Sequence, residues 1–199
     1  MIVRRFVAPV LAATLLVAAC KKDPPPPPAP TGPTAEELAQ RRADSIAAAE
    51  AAARAARERA EAEAAAARAA RERAVAAARA TLEQMVFFDY DMSEIRSDAA
   101  EVLRAKVGIL RASPQVQFRI EGHADERGST EYNLALGNRR AEAVKQFLVG
   151  FGLAENRFTT VSYGEERPLA QGSNETSWAR NRRAQFQITA GANAINPAN

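Results

Sequence analysis

The chain has 199 residues, a length that suits one ordinary domain with extensions. Hydrophobic residues make up 47% of it, but alanine supplies much of that fraction, and the larger aliphatic and phenylalanine side chains concentrate after Leu82. The 27 basic residues exceed the 24 acidic ones by only three, and the two signs are interspersed, which argues against a nucleic-acid-binding surface.

Residues 1–19 have the organisation of an export signal. Arg4 and Arg5 precede an apolar run, residues 6–19, that is shorter than the ~20 residues a membrane-spanning helix needs. The sequence V-A-A-C at residues 17–20 resembles a bacterial lipobox, which predicts cleavage before Cys20 and acylation of that cysteine. Several acyl chains, at ~0.8 kcal/mol per buried CH2, would anchor the chain stably in a membrane. The alternative is an unmodified lone thiol, since a single cysteine excludes an internal disulfide.

Residues 20–34 are predicted to be the lipidated cysteine followed by a proline-rich linker. Prolines occupy positions 24–28, 30 and 33, and such a run favours an extended polyproline conformation over helix or sheet. A ligand for proline-recognising domains has the same composition, but we favour the linker interpretation.

Residues 35–83 are predicted to form one long helical spacer. Thr34 and Glu37 have the spacing of a capping box, and the residues that follow are alanine, arginine and glutamate without glycine or proline. At 1.5 Å per residue the helix would reach ~70 Å. The hexapeptide A-A-R-E-R-A recurs two heptads apart, at residues 55–60 and 69–74, which suggests a coiled coil. Because its seam would consist mostly of alanine, a solitary, solvated helix is favoured.

Residues 84–190 contain the hydrophobic patterns of a folded domain. Four predicted strands alternate with two long helices and one short helix, and the pattern ends before a tail, residues 191–199, that is predicted to be disordered. The strands are predicted at 86–88, 116–122, 158–162 and 183–189, and the helices at 97–112, from Ser129 or Thr130 to Gly150, and at 175–180. The order β-α-β-α-β-(α)-β predicts a two-layer α/β sandwich.

The stretch 120–141 places a strand end, a charged loop and a helix start in succession. Asp125 and Arg127 lie in the loop, and Arg140 lies some two turns into the helix, where it can face back toward the loop. A carboxylate and a guanidinium in that arrangement suit a small zwitterionic ligand. The competing interpretation is an ion pair between Asp125 and Arg140 themselves.

Four motifs in this region resemble the OmpA-like domain of peptidoglycan-associated lipoproteins. They are G-H-A-D-E-R-G at 122–128, Y-N-L-A-L-G-N-R-R-A at 132–141, V-S-Y-G-E-E-R-P at 161–168 and N-R-R-A at 181–184. The resemblance covers roughly residues 85–190 and implies the same α/β architecture. It also implies a ligand, the meso-diaminopimelate of the peptidoglycan stem peptide, whose free end carries an ammonium and a carboxylate.

The same resemblance implies roles for six residues. Asp125 would accept the ammonium, and Arg140 would bind the carboxylate through two parallel hydrogen bonds that a lysine cannot make. The others are expected to border the pocket (Tyr90, Asp91), line its wall (Leu136) and hold the loop (Asn133). Trp178 is expected to pack against the sheet, and His123 to be a satisfied histidine at a strand end.

The implied partners are peptidoglycan, outer-membrane lipid through the acylated Cys20, and the periplasmic Tol propeller protein, TolB. Lys21 after the cysteine points, by the family's sorting logic, to the inner leaflet of the outer membrane. No cofactor, metal or nucleic acid is expected.

The function expected from the resemblance is a tether between outer membrane and cell wall within the Tol-Pal system, which acts in envelope integrity and in constriction at cell division. Two alternatives remain: a generic OmpA-like tether outside that system, to which the long alanine-rich spacer lends weight, and a peptidoglycan-acting hydrolase. The acid-rich cluster at Glu121, His123, Asp125 and Glu126 is of the kind that hydrolases use. A single histidine and a single cysteine argue against a histidine-rich zinc site or a cysteine–histidine dyad, so no enzyme is expected.

Overall fold

The structure is a computed structural model of the chain and describes residues 32–197. The predicted signal segment, Cys20 and the proline-rich linker as far as residue 31 lie outside the described residues. The longer helices and the strands are α1 (Ala35–Glu83), β1 (Val86–Phe87), α2 (Ser97–Ala112), β2 (Gln117–His123), α3 (Thr130–Gly150), β3 (Phe158–Gly164), α4 (Glu175–Asn181) and β4 (Arg183–Ala190). Between residues 32 and 197, no helix combines the length and the apolar character that a membrane crossing requires.

Helix α1 confirms the predicted alanine-rich helix and begins at the predicted capping box. The Thr34 backbone N–H donates to Glu37 Oε2 (2.9 Å), and the Glu37 backbone N–H donates to Thr34 Oγ1 (3.2 Å), so each residue caps the other. The chain divides into two compact units between Ala55 and Ala56. The second unit contains the remainder of α1 together with every other element.

The last turns of α1 belong to the folded domain. Ala78 and Leu82 are buried in its core. The fully buried Lys106 of α2 donates from Nζ to the carbonyl oxygens of Thr81 (2.7 Å), Leu82 (3.0 Å) and Gln84 (2.7 Å). The Thr81 carbonyl also accepts from the Gln84 backbone N–H (3.3 Å), and a cation is a favoured partner for carbonyls at the end of a helix. The folded unit therefore includes the end of the spacer helix, before the predicted boundary at residue 84.

The four strands form one mixed sheet in the order β1-β4-β2-β3. Strand β2 pairs in parallel with β3 and antiparallel with β4, and β4 pairs antiparallel with β1. Helix α3 packs on β2 and β3, and side chains of α2 and α3 complete the core. This arrangement confirms the predicted two-layer α/β sandwich.

The core lies between the helices and one face of the sheet. Phe118 and Ile120 on β2 and Ala184 and Phe186 on β4 are buried at alternating inward positions, and Ile188 is partly buried against the same core. Because β2 runs along the middle of the sheet and α3 returns over it, the end of β2 and the first turns of α3 lie side by side. The charged loop joins these two elements.

The prediction of a disordered tail is wrong for residues 191–197. Gly191 adopts a left-handed conformation (φ 74°), which turns the chain back, and a short 3-10 helix follows at Ala192–Ala194. Ile195 is then buried in the core, and the Asn196 backbone N–H donates to Ser113 Oγ (2.8 Å). One apolar side chain with a place in the core is enough to order this segment.

Candidate functional site

The six predicted ligand-binding residues converge on one cavity of about 100 Å³. This volume suits a few heavy atoms, such as the end of an amino acid, and is well below the ~300 Å³ of a drug-sized pocket. The lining comprises the predicted set (Tyr90, Asp91, Asp125, Asn133, Leu136 and Arg140) together with Ala124, Arg127, Gly128 and Tyr132.

Two glycines bring the two sides of this cavity together. Gly122 on β2 lies directly against Gly137 on α3, and a Cβ built on Gly122 would lie 1.8 Å from the Gly137 carbonyl oxygen. Only residues without side chains permit this approach of backbone to backbone. Asp125 follows Gly122 by three residues and Arg140 follows Gly137 by three, so the glycine contact sets the spacing between the two charged groups.

Asp125 is buried and accepts four hydrogen bonds. Arg127 donates to Oδ1 from its backbone N–H (3.1 Å) and Nε (3.0 Å), and to Oδ2 from Nη2 (2.7 Å). Arg182 Nη1 donates to Oδ2 at 3.2 Å. Burial alone would raise the pKa of Asp125, but the hydrogen bonds from the two arginines outweigh it and hold that pKa below its ordinary value. Asp125 is therefore a carboxylate at neutral pH.

Arg127 lies between two aromatic rings while it contacts Asp125. Its guanidinium carbon is 3.9 Å from the centroid of Tyr90 and 4.1 Å from that of Trp178, both cation–π distances. The hydrogen bond to Asp125 raises the pKa of Arg127. Trp178 was expected to pack against the sheet; its ring stacks on Arg127, and its Nε1 donates to Glu126 (3.1 Å).

Arg182 completes a closed arrangement of alternating charges. It is buried, and besides Asp125 it contacts the Phe88 carbonyl through Nε (3.1 Å) and Glu175 through Nη2 (2.6 Å). Glu175 in turn lies 3.8 Å from Arg127 Nη2. Two carboxylates and two guanidiniums thus alternate around a ring, and each charge has neighbours of the opposite sign.

Arg140 forms the opposite wall and is fully buried. It donates from Nε to the Met92 carbonyl (2.8 Å), from Nη1 to that of His123 (2.8 Å) and from Nη2 to that of Asp89 (3.0 Å). Burial lowers the pKa of Arg140 to about 10, and the nearby Asp125 partly offsets that effect. The guanidinium remains charged at neutral pH and fixes the loop after β1 to the end of β2.

Within residues 32–197, Arg140 forms no ion pair with a carboxylate, and the ion pairs of Asp125 go to Arg127 and Arg182. The competing interpretation, an ion pair between Asp125 and Arg140 themselves, is therefore wrong. A guanidinium has five N–H donors, and the three hydrogen bonds to carbonyl oxygens leave one N–H on each terminal nitrogen. This cation without a carboxylate lines the same cavity as Asp125.

The rim of the cavity carries polar and aromatic groups. Asp91 adopts a left-handed backbone conformation (φ 57°), unusual for a residue other than glycine, and accepts a hydrogen bond from the Tyr132 hydroxyl. Asn133 Nδ2 donates to the Arg127 carbonyl (3.3 Å), which connects the charged loop to α3, and to Glu165 Oε2 (2.6 Å), which connects α3 to the turn after β3. Leu136 is buried and contributes the apolar part of the wall.

Three arginine functions in the site were not predicted from the sequence. The roles of Arg127 and Arg182 depend on a loop conformation and on the return of β4, although both residues stand in the quoted motifs 122–128 and 181–184. The use of Arg140 as a ligand of three carbonyl groups was also missed. His123 was expected to be a satisfied histidine; it is buried, neither ring nitrogen has a hydrogen bond of regular geometry within the described residues, and the Gln185 side chain is a weak partner that acts to raise its pKa.

Residues 32–197 contain no group of three or more histidine, cysteine, aspartate or glutamate side chains placed to hold a metal ion. The acidic residues around β2 are instead distributed over separate contacts: Glu121 pairs with Arg119 (2.9 Å), and Glu126 accepts from Trp178.

Comparisons with known proteins agree on this segment of the chain. The OmpA family matches residues 87–182, which include every residue that lines the cavity. The peptidoglycan-associated lipoprotein of Brucella melitensis is 52% identical over 99 residues, which are 50% of this chain and 59% of that protein. The protein of the same name from Pseudomonas aeruginosa is 46% identical over 101 residues, 51% of this chain and 60% of that one. The matched part therefore spans about 60% of these relatives' length.

The crystal structure of the peptidoglycan-associated lipoprotein from Burkholderia pseudomallei is also similar. Its sequence identity is 40%, the match covers 54% of this chain and 91% of that one, and the TM-score is 0.52. The long helix α1 lies entirely outside the matched family segment, which begins at residue 87.

Proposed function

Because this chain belongs to the OmpA-like family of peptidoglycan-associated lipoproteins, we propose that its folded domain binds peptidoglycan non-covalently through the diaminopimelate of the stem peptide. The observation that carries this proposal is that the carboxylate of Asp125 and the buried cation of Arg140 line the same small cavity without pairing with each other. Diaminopimelate presents an ammonium and a carboxylate on a single carbon, so it supplies one partner for each group.

In this proposal Arg140 binds the carboxylate of the ligand. Its two remaining N–H donors are on the terminal nitrogens, and a carboxylate is the partner that a buried guanidinium favours. The ammonium is assigned to Asp125, which the neighbouring arginines keep ionised. Tyr90, Asp91, Asn133 and Leu136 are proposed to shape the rest of the pocket.

We propose binding rather than catalysis at this site. A general acid must carry a proton near neutral pH, and the hydrogen bonds from Arg127 and Arg182 hold the pKa of Asp125 below its ordinary value. Burial and the nearby Arg183 and Arg167 lower the pKa of His123 to about 3, so its ring is neutral and shielded from a substrate. Neither group is therefore suited to the role of general acid in hydrolysis.

The cell-level proposal is an outer-membrane lipoprotein that tethers this membrane to the cell wall from its periplasmic face. The membrane anchor is assigned to acylated Cys20, and the helical spacer separates that cysteine from the wall-binding domain. Labelling with a radioactive fatty acid should mark wild-type protein and leave a Cys20→Ser variant unmarked. Label on both proteins would exclude Cys20 as the acylated residue.

Co-sedimentation with purified peptidoglycan tests the binding proposal. Wild-type protein should pellet with the polymer, whereas Asp125→Ala and Arg140→Ala should remain in the supernatant while retaining a folded circular dichroism spectrum. A wild-type protein that stays in the supernatant would contradict the proposed function. Folded variants that still pellet would place the binding site elsewhere.

We propose further that the protein acts within the Tol-Pal system at cell division, with TolB as its periplasmic partner. The motifs at 161–168 and 181–184 support this choice over a generic tether, since they resemble the lipoprotein members of the family. Purified TolB should be captured by the immobilised protein. A protein that binds peptidoglycan but does not capture TolB would instead be a generic wall tether.

A further inference from the structure

Every acceptor position of the Asp125 carboxylate is occupied in the structure. Each oxygen takes two hydrogen bonds, and three of the four come from Arg127 and one from Arg182. An ammonium group donates up to three hydrogen bonds of its own. It can therefore reach this carboxylate only if one of the present donors moves away.

Arg127 is the donor that can move. The Arg182 side chain is only 6% exposed, and it is held on three sides by Phe88, Asp125 and Glu175. The Arg127 side chain is 28% exposed and lines the cavity beside Asp125. Its backbone N–H can keep its bond to Oδ1 while the guanidinium leaves.

The structure also contains a second acceptor for the Arg127 guanidinium. Glu175 Oε2 lies 3.8 Å from Nη2 of Arg127, and the Glu175 side chain is 65% exposed while its other oxygen, Oε1, accepts from Arg182 (2.6 Å). A short shift of the guanidinium between the faces of Tyr90 and Trp178 would keep both aromatic contacts while exchanging one carboxylate for the other. The shift avoids leaving Arg127 without a counterion.

We propose that Arg127 is an exchangeable counterion, which neutralises Asp125 until the ligand ammonium replaces it and which then pairs with Glu175. This inference rests on the proposed function for the identity of the ligand. It makes Glu175, a residue outside the cavity lining, a positioning residue for binding.

A double-mutant cycle measured by calorimetry tests the exchange, with a soluble diaminopimelate-containing tripeptide and the purified full-length protein. Glu175→Gln should weaken binding by about fivefold to tenfold in the wild-type background, because the displaced Arg127 lacks a carboxylate. In an Arg127→Ala background the same replacement should change the affinity by less than about twofold. Glu101→Gln, at an exposed position on α2, is the matched control and should bind as wild type does.

An equal loss in both backgrounds would overturn the exchange and indicate that Glu175 acts through Arg182. No loss in either background would overturn it as well. A wild-type protein that does not bind the tripeptide would contradict the proposed function itself, and so the two failures are distinguishable.

Side-chain NMR gives a second readout that needs no substitution in the ring. Titration with the tripeptide should shift the Arg127 Nε–Hε resonance, which reports the lost bond to Asp125, and should leave the Arg182 resonance in place. Bound protein with an unshifted Arg127 resonance would contradict the proposal.

Discussion

Gly122 and Gly137 lie in backbone contact, and a Cβ on Gly137 would be only 2.8 Å from the Gly122 carbonyl oxygen. The same Cβ would lie 2.3 Å from Ser162 Oγ. The glycine contact lets α3 lie directly on β2, and it places Asp125 and Arg140, each three residues further along, on two sides of one cavity. The geometry of the candidate site thus depends on two residues that are absent from its lining.

We expect Gly122→Ala to lower the unfolding free energy by about 3 kcal/mol and to weaken peptidoglycan binding, because the added methyl meets a backbone carbonyl that has no room to move. Gly150→Ala is the matched control, since a Cβ at Gly150 meets nothing within 4 Å. Chemical denaturation measures both variants. Equal stability of the two would show that the helix adjusts without cost.

Arg140→Lys should lower the free energy of unfolding by about 2–4 kcal/mol and should also abolish peptidoglycan binding. A lysine cannot donate in three fixed directions, and it would leave some of the carbonyls of Asp89, Met92 and His123 buried without a donor. Arg139→Lys, on the neighbouring exposed position, should change neither property. Thermal denaturation and co-sedimentation of the two variants provide the comparison.

The lowered pKa of Asp125 predicts that its contribution to stability changes with pH only at acid pH. Its contribution is fully present above the ordinary aspartate pKa of 3.8 and is lost as the pH falls through the lower value in the folded protein. The stability difference between wild type and Asp125→Asn should therefore be constant above about pH 5 and shrink below about pH 4. Urea denaturation between pH 2.5 and 7 measures it. A difference that stays constant down to pH 2.5 would contradict the lowered pKa.

The lowered pKa of Lys106 predicts a change of stability at alkaline pH, whereas that of Asp125 acts at acid pH. Burial lowers its pKa to about 7 while Glu83 acts to raise it, and the unfolded chain has the ordinary value of 10.5. Between these two values the unfolded chain binds the additional proton, so this residue's contribution to stability rises with pH across that window. The stability deficit of Lys106→Met relative to wild type, about 1–3 kcal/mol, should grow between pH 7 and 10.

Arg104→Met, at an exposed position two residues away on α2, is the control for Lys106. It should show no such growth with pH. Amide hydrogen exchange adds a local test, because loss of the lysine should speed exchange in the last turn of α1, whose carbonyls it holds. Unchanged exchange there would show that the cap contributes nothing to that turn.

The sequence predicted the fold well because its signals were local. The alternation in β2 and β4, the helical spacing of α2 and α3, the N-cap at Ser129 and the capping box at Thr34 each report on neighbouring residues, and the structure confirms them. The ordered tail was missed because Ile195 is ordered by a distant part of the core and not by its own neighbours.

The site was predicted only in part, for the same physical reason. Motif positions indicated which residues would meet, and all six line the cavity. Ion-pair partners are set by tertiary geometry, and so the contacts of Asp125 with Arg127 and Arg182, and the support of Arg127 by Trp178, could not be derived from spacing. Arg182 lies 57 residues from Asp125 along the chain.

The central claim is that Asp125 and Arg140 together recognise both charges on one carbon of the ligand. The most direct measurement compares the affinities of the purified protein for two soluble stem peptides that differ only in diaminopimelate versus lysine. Lysine keeps the ammonium and lacks the distal carboxylate, so the account predicts at least about tenfold weaker binding, the loss expected when a buried cation has no partner. Equal affinity for the two peptides would show that Arg140 does not bind the carboxylate and would contradict the account.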